Sequence, residues 1–218
     1  MSLRALLWKD LRVEMRGKEG LQAGLVLVAL FFLVDLFAFE GLAGEDRAAA
    51  VVLWTPLVFA TVAALGRGLA AEADRGTLEL LRTAPVEPGL HGVSRTLVNL
   101  LLAGLLLAAA LGLAALVFDV PLGWPLVLLL AACAVGLAVT GTLAGAIAAQ
   151  TRAREILLPI LLVPVAAPLV QAGVRGTLDA LAGATVPGLR VPLLLVLGYD
   201  LLLAGAAWFL WPVVLEVD

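Results

Sequence analysis

Six long apolar runs, set apart by short polar stretches, organise this chain. They cover residues 21–39, 48–66, 97–118, 124–149, 156–174 and 191–212. Each is close to or longer than the roughly 20 helical residues that cross a hydrocarbon core. None alternates with period two, as the strands of a membrane β-barrel do. Backbone N–H and C=O groups in lipid must be satisfied within their own segment, so each run is predicted to be a helix. The fold expected is all-α: a polytopic membrane protein with six transmembrane helices, forming one transmembrane domain over residues 1–218.

The polar stretches carry their own patterns. Residues 1–20 are too polar to span. Wound as a helix, they place Leu3, Leu7, Leu11 and Met15 on one stripe and Lys9, Arg12 and Arg16 roughly opposite, with Arg4 interrupting the stripe. That predicts an N-terminal interfacial helix whose basic face meets anionic lipid headgroups. A charged leader that only fixes topology is the other reading. The second polar stretch, residues 67–96, contains Glu72–Pro85, EADRGTLELLRTAP. Gly76 permits a turn, and Thr77 is suited to cap a new helix. Leu78, Leu80 and Leu81 offer apolar contacts, Glu79 and Arg82 offer charge, and Pro85 disfavours helix at Ala84. A short capped helix on the membrane surface, where a soluble partner docks, stands against an ordinary connecting loop.

Composition agrees with the membrane class. Hydrophobic residues make up 63% and charged residues 14%, and the mean hydropathy is +1.11. A globular domain could not cover so much apolar surface with so few charges. The net charge of −3 argues against nucleic acid as a partner. With six spans, one side of the membrane holds eleven Lys and Arg and the other holds three. The positive-inside rule then places both termini and the 67–96 segment in the cytoplasm. Trp124 and Trp211 fall at span ends, where indole rings favour the interface.

Few residues here are suited to chemistry. The single histidine, His91, reads as a solvated loop residue and not as a cofactor ligand. Cys133 is alone in mid-span and reads as a small packing residue. There is no CxxCH for covalent heme attachment and no G-x-x-x-x-G-K-[ST] run for nucleotide phosphates. The chain is therefore expected to be a non-catalytic subunit that binds no cofactor itself, with any ATP hydrolysed by a partner. Asp35 and Asp200 lie within spans, and an intramembrane acid is a functional candidate. Asp200 is expected either to be protonated or to bond a hydroxyl or amide such as Thr140, Thr142 or Asn99. A secondary transporter or channel, coupled to ions or protons through Asp35 and Asp200, is the alternative from another functional class. Gly104, Ala108 and Gly112, and again Gly141, Gly145 and Ala149, have the spacing that lets helix backbones approach. Both stripes are expected to serve internal packing. Pro159, Pro164 and Pro168 should bend the fifth span.

The order of these elements resembles the permease subunits of type-2 ABC exporters: interfacial helix, two spans, a GTLE-x-L-x-x-x-P motif, four spans. Gly76, Thr77, Leu78, Glu79, Leu81 and Pro85 match that motif position by position. The opening WKDLRVEMR, the lead-in EADRGTLELL and the block Gly141–Val170 make the chain similar, more narrowly, to the cytochrome c maturation B family. The resemblance implies that Leu78–Arg82 belongs to a coupling helix contacting the ABC ATP-binding subunit of that system. It further implies two copies of the chain in a bacterial inner-membrane complex. The remaining implied partners are the heme-handling membrane subunits C and D and the heme chaperone E, which would handle the heme.

Overall fold

The computed structural model describes residues 3–39, 46–65, 87–151 and 154–216, and all regular structure among them is helical. Helix α1 spans Leu3–Gly17, α2 Glu19–Ala38 and α3 Asp46–Leu65. After residues 66–86, α4 spans Pro88–Phe118, α5 Trp124–Ala149, α6 Arg154–Leu181 and α7 Arg190–Glu216. Helices α2 to α7 are long and apolar enough to cross a membrane. The chain is a multi-pass membrane protein.

Lipid is as apolar as leucine, so membrane helices associate through close packing and not through release of water. The centre of the bundle shows how. Helices α3 and α5 are each 67% buried across their spans, against 11% for α7. Helix α3 packs on α2, α4 and α6, while α5 packs on α4, α6 and α7. Where they meet, glycine replaces bulk. Gly141 of α5 lies directly under the Leu65 side chain, and Gly173 of α6 under the Trp54 ring. A side chain at either position would displace its neighbour. The Trp54 indole N–H also donates a 3.0 Å hydrogen bond to the Thr177 hydroxyl, tying α3 to α6.

Helix α6 carries Pro159, Pro164 and Pro168 internally and remains one helix. Each proline lacks the N–H that would bond four residues back. Helix α1 ends at Gly17, and Lys18 turns the chain with a left-handed φ of 55°. Its N–H still bonds the Glu14 carbonyl at 2.8 Å, and its carbonyl accepts from Gln22 at 2.8 Å. One residue in the left-handed region thus separates α1 from α2.

Three features differ from the hydropathy reading. Helix α4 begins at Pro88, before the apolar run at residue 97, so His91, Ser94 and Arg95 are helical and buried. The expected loop histidine therefore sits inside the bundle. Helix α1 turns Leu6 and Asp10 inward while Met15 is 63% exposed, so the stripe read from the wheel is not the packed one. Trp211 is buried against Gly92 and His91, whereas Trp124 is exposed. Trp211 thus packs against the first turns of α4.

Candidate coupling surface and intramembrane polar sites

The motif residues Gly76, Thr77, Leu78, Glu79, Leu81 and Pro85 lie outside the described residues. Both flanks of that segment are described: α3 ends at Leu65, and α4 opens at Pro88. Pro occupies the first turn of α4, where its missing N–H costs nothing because first-turn N–H groups have no intrahelical acceptor.

A polar cluster stands where α1 meets the first turns of α4. The Ser94 hydroxyl of α4 donates a 2.6 Å hydrogen bond to Asp10 Oδ2 of α1, and both side chains are fully buried. Lys9 Nζ lies 2.9 Å from the other Asp10 oxygen. Arg95, one residue on, is 1% exposed, with Nη2 3.9 Å from Glu14 Oε2. Two acids of α1 thus face a hydroxyl and a guanidinium of α4. Glu14 also borders Gly20 of α2. A methyl group at Gly20 would meet Glu14 Oε1 at 2.9 Å and the Ala64 carbonyl oxygen at 3.2 Å. Hydropathy gave no sign of this cluster. The only linear signal is a Ser-Arg pair just before an apolar run.

The two intramembrane acids lie apart from this cluster. Asp200 of α7 places its carboxyl directly against Gly136 of α5, in space a side chain would fill. Its buried Oδ1 has no hydrogen-bond partner among the described residues. The expected partners are engaged elsewhere. Asn99 Nδ2 donates to the Thr142 hydroxyl at 2.8 Å, and Thr142 donates to the Ala138 carbonyl at 2.7 Å. The Thr140 hydroxyl bonds the Gly136 carbonyl at 2.6 Å and lies 2.8 Å from the Tyr199 hydroxyl. Tyr199 in turn donates to the Val165 carbonyl at 2.9 Å. Short-range bonds to carbonyls one turn back take up both threonines, so of the two expectations for Asp200 the bond to these groups is not made. Asp35 of α2 is also buried, with Oδ2 unpartnered among the described residues. No group of three His, Cys, Asp or Glu that could hold a metal occurs among the described residues. Cys133 is a buried free thiol.

The small-residue stripes separate. Gly141 and Gly145 are buried in the bundle, as expected. Gly104 and Gly112 have open space where a side chain would stand, and Ala108 is exposed. The α4 stripe faces outward because α4 turns Ala103, Leu106 and Ala110 toward the core instead.

The family model described as "CcmB protein" matches residues 1–217. The chain belongs to the CcmB family. A curated relative, heme exporter protein B of Rhodobacter capsulatus, is 32% identical over 206 residues, covering 90% of each chain. Heme exporter protein B of Paracoccus denitrificans is 29% identical over 189 residues, 84% of this chain and 85% of that one. The protein of the same description from Bradyrhizobium diazoefficiens is 26% identical over 189 residues, 84% of this chain and 83% of that one. The match covers both flanks of the 66–86 segment, the polar cluster between α1 and α4 and all six spans.

Proposed function

We propose that the chain is the membrane subunit of an ABC-type complex of c-type cytochrome maturation, serving heme export. The carrying observation is the CcmB match over residues 1–217, with relatives described as heme exporter protein B. ATP hydrolysis belongs to a soluble partner, since the sequence has no phosphate-binding run. Gly76, Thr77, Leu78, Glu79, Leu81 and Pro85 receive the resulting movement and pass it into α3 and α4. The chain sits in the bacterial inner membrane with both termini cytoplasmic, a reading supported by its basic asymmetry.

Heme is handled by partner membrane subunits and a chaperone. The work of this chain is either to move heme or to drive release of the heme-loaded chaperone. Two copies complete the core, and the outward Gly104, Ala108 and Gly112 stripe leaves a close-packing surface for another helix. A second reading, ion- or proton-coupled transport, draws on the buried, unpartnered oxygens of Asp35 and Asp200. It requires flux without an ATPase.

Gentle extraction of the chain from its native membrane, followed by identification of co-purifying proteins, separates the two. The ABC reading expects a soluble ATP-hydrolysing subunit at one copy per copy of this chain. Isolation with membrane proteins only would oppose it.

A further inference from the structure

A cavity of about 150 Å³ lies between α4 and α7, with Val139 and Thr142 of α5 also in its lining. The lining runs from Gly89 to Leu97 on α4 and from Ala204 to Trp211 on α7. At 1.5 Å per helical residue, that is about 10–12 Å along the helix axes. The cavity is therefore a cleft, long and narrow. Local sequence shapes it. Glycine on α4 stands where α7 carries tryptophan. A methyl group at Gly89 would meet the Trp208 ring at 3.0 Å, and one at Gly92 the Trp211 ring at 2.7 Å. Both indoles thus rest against α4 at its glycines, and the short side chains of Ala204 and Ala207 leave room between the helices.

The chemistry of the lining selects what fits. Its two hydroxyls are already engaged: Thr96 donates to the Gly92 carbonyl at 2.9 Å, and Thr142 to the Ala138 carbonyl at 2.7 Å. A buried water needs about two to four polar partners, whereas an apolar cavity of about 150 Å³ stays dry and takes up a hydrocarbon as large as benzene. The surroundings supply hydrocarbon. Both walls belong to candidate spans, Gly89–Phe118 and Arg190–Pro212, and the second is only 11% buried. Leu97, Ala204 and Trp208 are exposed, and an exposed side chain within a span faces lipid. Hydrocarbon seated against these walls gains dispersion contacts along its whole length.

We propose that the cleft between α4 and α7 is a binding site for one acyl chain of a membrane phospholipid, which enters sideways from the bilayer. Its shape suits a single extended chain and excludes a flat macrocycle as wide as it is long. The site is independent of the ABC reading above.

The test uses the full chain, purified in mild detergent and reconstituted in phosphatidylcholine vesicles. The vesicles include a phosphatidylethanolamine with a photoactivatable diazirine midway along one acyl chain. After irradiation, labelled positions are mapped by mass spectrometry. Label on the cleft, at Leu97 and Ala204, should exceed label on the exposed α2 positions Val26 and Leu30 by about fivefold or more. Ala207→Phe places a ring in the cleft and should cut the cleft label about fivefold, with the α2 label held within about twofold. Ala204→Phe should do the same. The wild-type comparison decides the matter if both variants fail to accumulate. Equal label on the cleft and on α2 in the wild type would mean boundary lipid only and overturn the site. Cleft label unmoved by both ring-filling variants would overturn it too. Native mass spectrometry of the extracted wild type should retain one phospholipid per chain, and a polyisoprenoid retained instead would overturn the acyl assignment.

Discussion

Ser94 donates its hydroxyl proton to Asp10, 84 residues earlier in the chain, across a 2.6 Å contact that excludes solvent on both sides. The bond fastens the polar N-terminal helix to the first turns of α4. Hydrogen bonds to a charged group are worth about 1.5–3 kcal/mol, more than neutral ones.

Ser94→Ala should therefore destabilise the protein by about that amount, because the Asp10 carboxylate stays buried and loses a donor. Asp10→Ala should be milder than an uncompensated buried charge implies, since Lys9, at 35% exposure, can turn its ammonium to solvent. Thermal unfolding in a mild detergent, followed by loss of helical circular dichroism, measures both. Equal stability of Ser94→Ala and wild type would mean that the bond is not made in the membrane protein.

Gly173→Leu should disrupt the contact between α3 and α6. Its side chain would enter the space of the Trp54 ring, and overpacking a filled core costs about 1–3 kcal/mol or more. Trp54→Phe keeps an aromatic ring and removes the indole hydrogen bond to Thr177. That loss is set at about 0.5–1 kcal/mol for bonds between membrane helices. The pair of variants, compared by detergent unfolding, separates ring packing from hydrogen bonding. A Gly173→Leu protein as stable as wild type would show that the two helices do not meet this closely.

Sidedness is checked with single cysteines at two exposed positions, Glu87→Cys and Thr185→Cys. The native Cys133 is buried and should stay unlabelled. A membrane-impermeant maleimide should reach position 87 from the cytoplasm only and position 185 from outside only. The opposite pattern would invert the topology drawn from Lys and Arg.

The spans were readable because apolar length alone marks a membrane helix, and the GTLE motif was readable because its residues are consecutive. The polar cluster was not. Ser94, Arg95 and His91 depress the hydropathy of α4's first turns, so a window analysis starts the helix at residue 97 and leaves them in a loop. Their burial depends on α1 and α7, which return from far away in the chain. Asp10 shows the same gap: in the linear sequence it sits beside Lys9 and near Arg12 as a surface acid, and only α4 makes it an interior one. The outward turn of Gly104 and Gly112 was equally hidden, because spacing shows that two residues share a face but not which way the face points.

The burial of His91 against Trp211 alters what a substitution there does. A solvated loop histidine would tolerate alanine. The buried one should lose stability by about 1–3 kcal/mol, as core truncations do. Detergent unfolding of His91→Ala measures the difference, and a wild-type midpoint would return the residue to the surface.

The ratio of holo-cytochrome c formed to ATP hydrolysed, compared between wild type and Glu79→Lys or Leu81→Asp, tests the coupling role most directly. Both residues lie outside the apolar runs, so the insertion cost of a charge is small beside the roughly 2.5–3.5 kcal/mol it reaches at a span centre. Each change instead sets a charge against a docked partner, where like-charge contact costs several kcal/mol. With membrane levels unchanged, the ratio should fall at least about tenfold in both variants. A wild-type ratio in both would contradict the role of this segment as the path from ATP hydrolysis into the membrane.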